Sequence, residues 1–143
     1  MSNPPTPGQR LILRTDGAAR GNPGPAAAGI VIQTEAGADL VRDKKYLGHM
    51  TNNQAEYRAL IFGLQSALPL QPAALLVKMD SELVVRQMQG KYQVKSADLL
   101  PLFQEARALV AQLVRVTFAH VPRNENATAD ALANKALDEQ RRA

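Results

Sequence analysis

The sequence predicts an α/β fold: one mixed five-stranded sheet flanked by helices, its first three strands antiparallel and the rest parallel. Two patterns predict it. Three strand-like runs follow one another at close spacing near the start, which is how a meander reads. Beyond them, helix-period segments separate the remaining strand runs, and parallel strands need such crossovers. A chain of 143 residues, 45% hydrophobic and 21% charged, has the length and make-up of one globular domain.

Residues 11–16 read as the first strand, stopping at Gly17. Residues 17–25 (GAARGNPGP) hold three glycines and two prolines, so they read as a loop. Residues 26–34 and 40–48 form the second and third strands around a turn at 35–39. Residues 51–68 read as a helix, because Tyr57, Ile61, Leu64 and Leu68 fall on one stripe. Thr51 or Asn52 can cap its start, and Pro69 and Pro72 stop it. Residues 73–79 are mostly apolar, as in a central strand buried on both faces.

Asp80 and Ser81 close that strand and can cap a short helix running to residue 89, where Gly90 breaks it. Residues 98–113 form a second long helix, with Pro101 tolerated in its first turn and a stripe of Leu99, Phe103, Ala106, Val110 and Leu113. Residues 114–119 read as the last strand, followed by the polar loop 120–126 (HVPRNEN). The last helix, residues 127–139, buries Ala129, Leu132, Ala133, Ala136 and Leu137. Residues 1–10 are set apart as a disordered tail, leaving 11–140 as the domain. This order fixes a class of fold and no function.

Composition narrows the function classes. The absence of cysteine excludes a disulfide framework and thiolate zinc sites. No apolar run reaches the roughly 18 residues that cross a bilayer. Residues 1–9 are Pro-rich and polar and do not read as a secretory signal, so the cytoplasm is the expected location. Seventeen Lys and Arg against thirteen Asp and Glu give a net charge of +4, which suits a polyanionic partner without requiring one. Nothing in the pattern asks for more than a monomer.

The chemistry comes from where four acids stand. Asp16 closes the first strand, Glu56 lies one turn into the first helix, Asp80 closes the central strand, and Asp130 opens the last helix. Strand ends and helix starts of an open α/β sheet converge on one rim. Carboxylates gathered there repel one another unless a cation neutralises them. Magnesium takes oxygen ligands and keeps positions open for water and phosphate, and a pair of such ions can drive phosphodiester hydrolysis. Each acid also has a plainer use: Asp16 to begin a turn, Asp80 to cap, Glu56 and Asp130 to complement a helix dipole.

The motifs around the acids decide between these uses. TDGAARGNPGPAAAGIVI (residues 15–32), TNNQAEYRALIFGL (51–64), MDSELVVRQMQG (79–90) and HVPRNENATADALANKAL (120–137) occur in the order and near the spacing of type 1 ribonuclease H. The chain resembles that family over residues 11–137. The resemblance implies the ribonuclease H-like fold and a metal-dependent endonuclease that hydrolyses the RNA strand of RNA/DNA hybrids by a two-metal-ion mechanism, leaving 5′-phosphate and 3′-hydroxyl ends. It implies that Asp16, Glu56, Asp80 and Asp130 hold two Mg²⁺ ions, for which Mn²⁺ can substitute. It also implies a catalytic histidine, which His120 matches by lying ten residues before Asp130, with Arg123 as the alternative. The Gly17 backbone, Asn22, Asn52, Asn53, Glu82 and Arg123 are the implied contacts to the hybrid. The plainer uses are turn chemistry for Asn22, capping for Asn52 and Asn53, and a surface or structural place for His49.

Two departures from the family stand out. Residues 90–98 (GKYQVKSAD) replace the basic, Trp-rich protrusion of some relatives, so phosphate contacts are fewer and the expected salt dependence shallower. Glu82 stands where many relatives have glutamine. A binding module without catalysis, and a nuclease acting chiefly on another substrate such as double-stranded RNA or a DNA junction, are the rival readings. Retention of all four acids argues against the first, and cleavage of a substrate panel separates the second.

Overall fold

The computed structural model describes residues 8–142. The sheet has the order β3-β2-β1-β4-β5. β1 (Arg10–Ala19), β2 (Gly24–Thr34) and β3 (Asp39–Met50) form the antiparallel meander. β4 (Ala74–Met79) joins β1 in parallel, and β5 (Val116–His120) joins β4 in parallel. The helices are α1 (Asn52–Ala67), α2 (Glu82–Met88), α3 (Leu100–Ala111) and α4 (Ala127–Arg142). This is the mixed five-stranded sheet that the sequence predicts.

Side chains alternate across the sheet, and each face has its own helix. Leu11 and Leu13 of β1, Ile30 and Ile32 of β2, and Leu75, Val77 and Met79 of β4 bury against Tyr57, Leu60, Ile61 and Leu64 of α1. α3 covers α1 from outside with buried Leu102 and Ala106. On the opposite face α4 packs over β1, β2 and β3 with Ala129, Ala133, Ala136 and Leu137. Under α2, the Tyr57 hydroxyl donates to Gln87 Oε1 at 2.6 Å, a buried hydrogen bond that ties α1 to α2.

Four boundaries differ from the sequence reading for physical reasons. β1 does not stop at Gly17. Its ladder with β2 continues through Gly17–Ala28, Ala18–Ala27 and Ala19–Ala26, leaving only residues 20–23 as the loop. β4 is not buried on both faces, because α4 lies over β1–β3 and leaves Ala74, Leu76 and Lys78 half-buried. β5 begins at Val116, and Val114, expected in it, is 83% exposed. The last three residues of the expected tail also join the fold: Gly8 N donates to Gln71 O, Ala73 N donates to Gln9 O, and Arg10 opens β1. The rest of that tail, residues 1–7, lies outside the described residues. Among the described residues no helix is long and apolar enough to cross a membrane.

Two glycines set how closely the helices approach. A Cβ on Gly17 would stand 2.1 Å from the Ala55 carbonyl oxygen of α1, and one on Gly29 would stand 2.1 Å from the Ala129 carbonyl oxygen of α4. Both contacts are with backbone, which cannot rotate away. Gly17 pairs with Ala28 and Gly29 with Asp16, so these near-contacts lie side by side on opposite faces of the sheet. Gly29→Ala is expected to lower stability by about 1–3 kcal/mol through this overlap, read as a lower urea midpoint at unchanged m-value.

Candidate active site

Strand register brings the first two acids together. β1 and β4 run parallel with Arg14 opposite Lys78, so two residues further on Asp16 stands beside Asp80, on the α4 face. The ladder to β4 ends there, and the Gly17 N–H donates to Glu56 Oε1 at 2.7 Å. Glu56 is thus fixed by the backbone of the strand that carries Asp16. Ligand oxygens of Asp16, Glu56 and Asp80 all lie within 4.8 Å of one another.

Asp130 enters from the first turn of α4 and lines the same cleft as Asp16, on whose carboxyl its charge acts. Asn134, one helical turn later, donates from Nδ2 to the Asp130 carbonyl at 3.0 Å and to its Oδ1 at 3.3 Å. Arg123 Nη2 lies 3.6 Å from Asp130 Oδ1. The four acids share one open cleft of about 470 Å³ with Gly17, Arg20, Asn52, His120, Arg123 and Asn134.

The acids strain against one another. Asp16 is 5% exposed, and burial first, then the charges of Asp80 and Asp130, push its carboxyl up to about 7, against a small opposing pull from Arg123. Burial also holds Glu56 well above the usual carboxylate range, reinforced by Asp16 and opposed by the Gly17 N–H. Asp16 Oδ2 is buried without a hydrogen-bond partner. A buried, unpartnered carboxylate oxygen within reach of two further carboxylates is an oxygen-rich donor set suited to a hard divalent cation. The residues present fit such an ion.

The remaining sequence-predicted residues take varied positions. His120 ends β5 beside the cleft, its Nδ1 3.9 Å from Glu82 Oε2. Glu82 Oε1 also accepts from the Tyr92 hydroxyl at 3.3 Å, so Glu82 links these two residues and lies outside the metal cluster. The Asn22 side-chain oxygen accepts from Asn52 N at 3.1 Å, and Asn52 Oδ1 accepts from Ala19 N at 3.0 Å, so both hold the loop to α1. Thr51 is the N-cap, in a reciprocal capping box with Gln54. Asn22, Asn52 and Asn53 line a second groove with Gln93 and Lys95 next to the acids. His49 is exposed on β3 and does not line the cleft.

Sequence reasoning missed Arg20 and Asn134. Arg20 lines the cleft and reaches α4, pairing with Asp138 at 2.8 Å. The four-residue spacing from Asp130 could have revealed Asn134, since such positions are neighbours on a helix. Nothing in the local sequence around Arg20 signals its contact with α4.

A carboxylate cluster at the rim of a mixed sheet, between a helix on each face, defines a metal-binding protein of the ribonuclease H-like class. The Reverse transcriptase-like family model matches residues 14–136. Ribonuclease HI of Halobacterium salinarum is 41% identical over 135 residues, which cover 94% of this chain and 68% of that protein. The chain belongs to the type 1 ribonuclease H family. The N-terminal RNase H domain of Rv2228c from Mycobacterium tuberculosis superposes with a TM-score of 0.89 at 45% identity, covering 94% of this chain and 99% of that one. LC11-RNase H1, solved in complex with an RNA/DNA hybrid, superposes with a TM-score of 0.88 at 44% identity, covering 91% of this chain and 98% of that one. The chain spans 36% of the length of the full bifunctional protein Rv2228c.

The raised acids make metal-free stability depend on pH. Asp16 binds its proton more tightly folded than unfolded between its ordinary 3.8 and about 7, and the Glu56 shift has the same sign. The folded state therefore holds more protons across this window, and stability falls as pH rises through it. In EDTA, Tm is expected to drop from about pH 5 to about pH 8, less steeply in Asp16→Asn, as differential scanning calorimetry would show.

Proposed function

We propose that this chain is an endonuclease that hydrolyses the RNA strand of RNA/DNA hybrids with two Mg²⁺ ions, leaving 5′-phosphate and 3′-hydroxyl ends. The observation that carries the reading is the convergence of Asp16, Glu56 and Asp80 oxygens within 4.8 Å at the floor of an open cleft. Family membership supports the reaction class, and the hybrid bound by LC11-RNase H1 supports the substrate. All the acids come from one chain, which supports action as a monomer. Hybrids arise where nucleic acid is copied or transcribed, which supports a cytoplasmic place of action.

Asp16, Glu56 and Asp80 would hold the ions, with Asp130 completing the site from α4. Mn²⁺ is expected to substitute. When bound, the ions supply a low-pKa water and neutralise charge on the scissile phosphate. The protein's own groups do the rest. The Gly17 N–H keeps Glu56 turned into the cleft, and the buried setting of Asp16 leaves its oxygens short of other partners.

His120 and Arg123 also line the cleft, and either would serve the departing 3′-oxygen. Arg123 brings a permanent positive charge, whereas His120 can exchange a proton. Gly17, Asn22, Asn52 and Asn53 line the wall toward α1, where short amides suit the 2′-hydroxyl and sugar of a shallow groove. Glu82 would approach the RNA from α2.

The direct test is cleavage of an end-labelled RNA strand, alone, paired with DNA and paired with RNA, in Mg²⁺ or EDTA. Metal-dependent cutting of the DNA-paired strand only is expected. Cutting of the RNA duplex as well would broaden the substrate class, and no cutting by folded protein, with Mn²⁺ also tried, would overturn the reading. Asp80→Asn removes a ligand charge at nearly constant volume. It should cut the rate by at least about a hundredfold, since outer-shell partners of a metal ligand are alone worth that much. An unchanged circular dichroism spectrum would show that the fold is retained.

A further inference from the structure

Two consecutive residues of β1 engage the segment that leads into α4, each in a different way. The Arg14 Nη1 donates to the Glu125 carbonyl at 2.8 Å. The Thr15 carbonyl accepts from Asn126 Nδ2 at 2.8 Å, in a buried contact. The next residue of β1, Asp16, shares the cleft with Asp130 of α4. Arg14 is itself held from the side, because its Nε donates to Gln33 Oε1 at 3.0 Å and Gln33 Nε2 donates to Asp39 Oδ1 at 2.8 Å. A polar chain thus crosses the α4 face of the sheet from β3 to the 3-10 turn Arg123–Asn126.

We infer that Arg14 is a positioning residue: with Asn126 it clamps the turn Arg123–Asn126 onto β1, and so sets where Asp130 and Arg123 stand over the cleft. The inference rests on the nuclease reading for its effect on turnover, though not for its effect on structure. α4 begins one residue after Asn126, so a turn that lifts from β1 carries the first turn of α4 with it. Asp130 is in that first turn, and its place beside Asp16 in the cleft depends on the lateral position of the helix. The Gly29 approach fixes how closely α4 lies on the sheet. Arg14 and Asn126 fix the turn that precedes the helix. The two restraints act at different points along the chain, and neither replaces the other.

The test uses Arg14→Met, which keeps the stem but removes the donors, and Gln33→Met, which frees the guanidinium while leaving its charge. Mn²⁺ binding by calorimetry, hybrid cleavage and amide exchange of the metal-free protein are measured well below the Tm. For Arg14→Met, Mn²⁺ affinity and kcat should each fall about ten- to a hundredfold, with KM for the hybrid within about twofold. Amide exchange at residues 123–130 should accelerate. Gln33→Met should move all three in the same direction, less far.

Wild-type Mn²⁺ affinity and exchange in Arg14→Met would overturn the inference. So would a fall in Arg14→Met with no change in Gln33→Met, because the effect would then come from the charge. Failure of the wild-type protein to cut the hybrid would sink the nuclease reading alone, since the Mn²⁺ isotherm and exchange still judge the clamp.

Discussion

Everything in the cleft depends on how closely two helices lie on the sheet. At most helix–sheet contacts side chains separate the two backbones. Here α1 and α4 approach β1 and β2 so closely that a single methyl group at Gly17 or Gly29 would collide with a carbonyl oxygen. Because Gly29 is the cross-strand partner of Asp16, the approach of α4 occurs beside the most buried acid. Close packing on both faces brings the N-terminal halves of both helices to the site. Glu56 and Asp130 therefore meet acids from β1 and β4 instead of standing a layer away.

That proximity sets the electrostatics. Burial and neighbouring charge both disfavour ionised Asp16 and Glu56, and the only internal relief among the shifts is the Gly17 N–H on Glu56 and Arg123 on Asp16. The sheet and the helices hold these groups together against their repulsion, which is how a fold prepares a site for a cation it does not itself contain. A conflict between local electrostatics and overall packing is expected at a functional site.

The class of fold was legible because strand and helix periods alternate clearly and the turns carry Gly and Pro. The four acids were legible from the motifs around them, although only Glu56, Asp80 and Asp130 stand near an end of an element and Asp16 lies inside β1. Gly17 was misread as the start of a loop, since sequence pattern does not separate a glycine needed for a turn from one needed for a close approach. Val114 read as a strand residue because it is β-branched and apolar, yet it precedes β5 and is exposed. Arg14 carried no signal at all. Its partners are Gln33 and the Glu125 carbonyl, and a contact across 111 residues leaves no trace in local spacing. The links of Glu82 to Tyr92 and His120 leave no trace in local spacing either, since one depends on the path of residues 90–98 and the other on the pairing of β5 with β4.

Asp16 and Asp80 are neighbours through the parallel ladder of β1 and β4, and Glu56 takes its place from a backbone N–H of the same strand. Only Asp80 lies outside a regular element, directly after β4, and the longer connecting segments supply none of the four acids. Loops on this rim can consequently lengthen, shorten or change sign without moving the reactive centre, as long as the ladder keeps its register. The short connection from α2 to α3 is the clearest case: it is a separable part, where reach along a nucleic acid can be gained or lost over evolutionary time while the chemistry beneath stays in place.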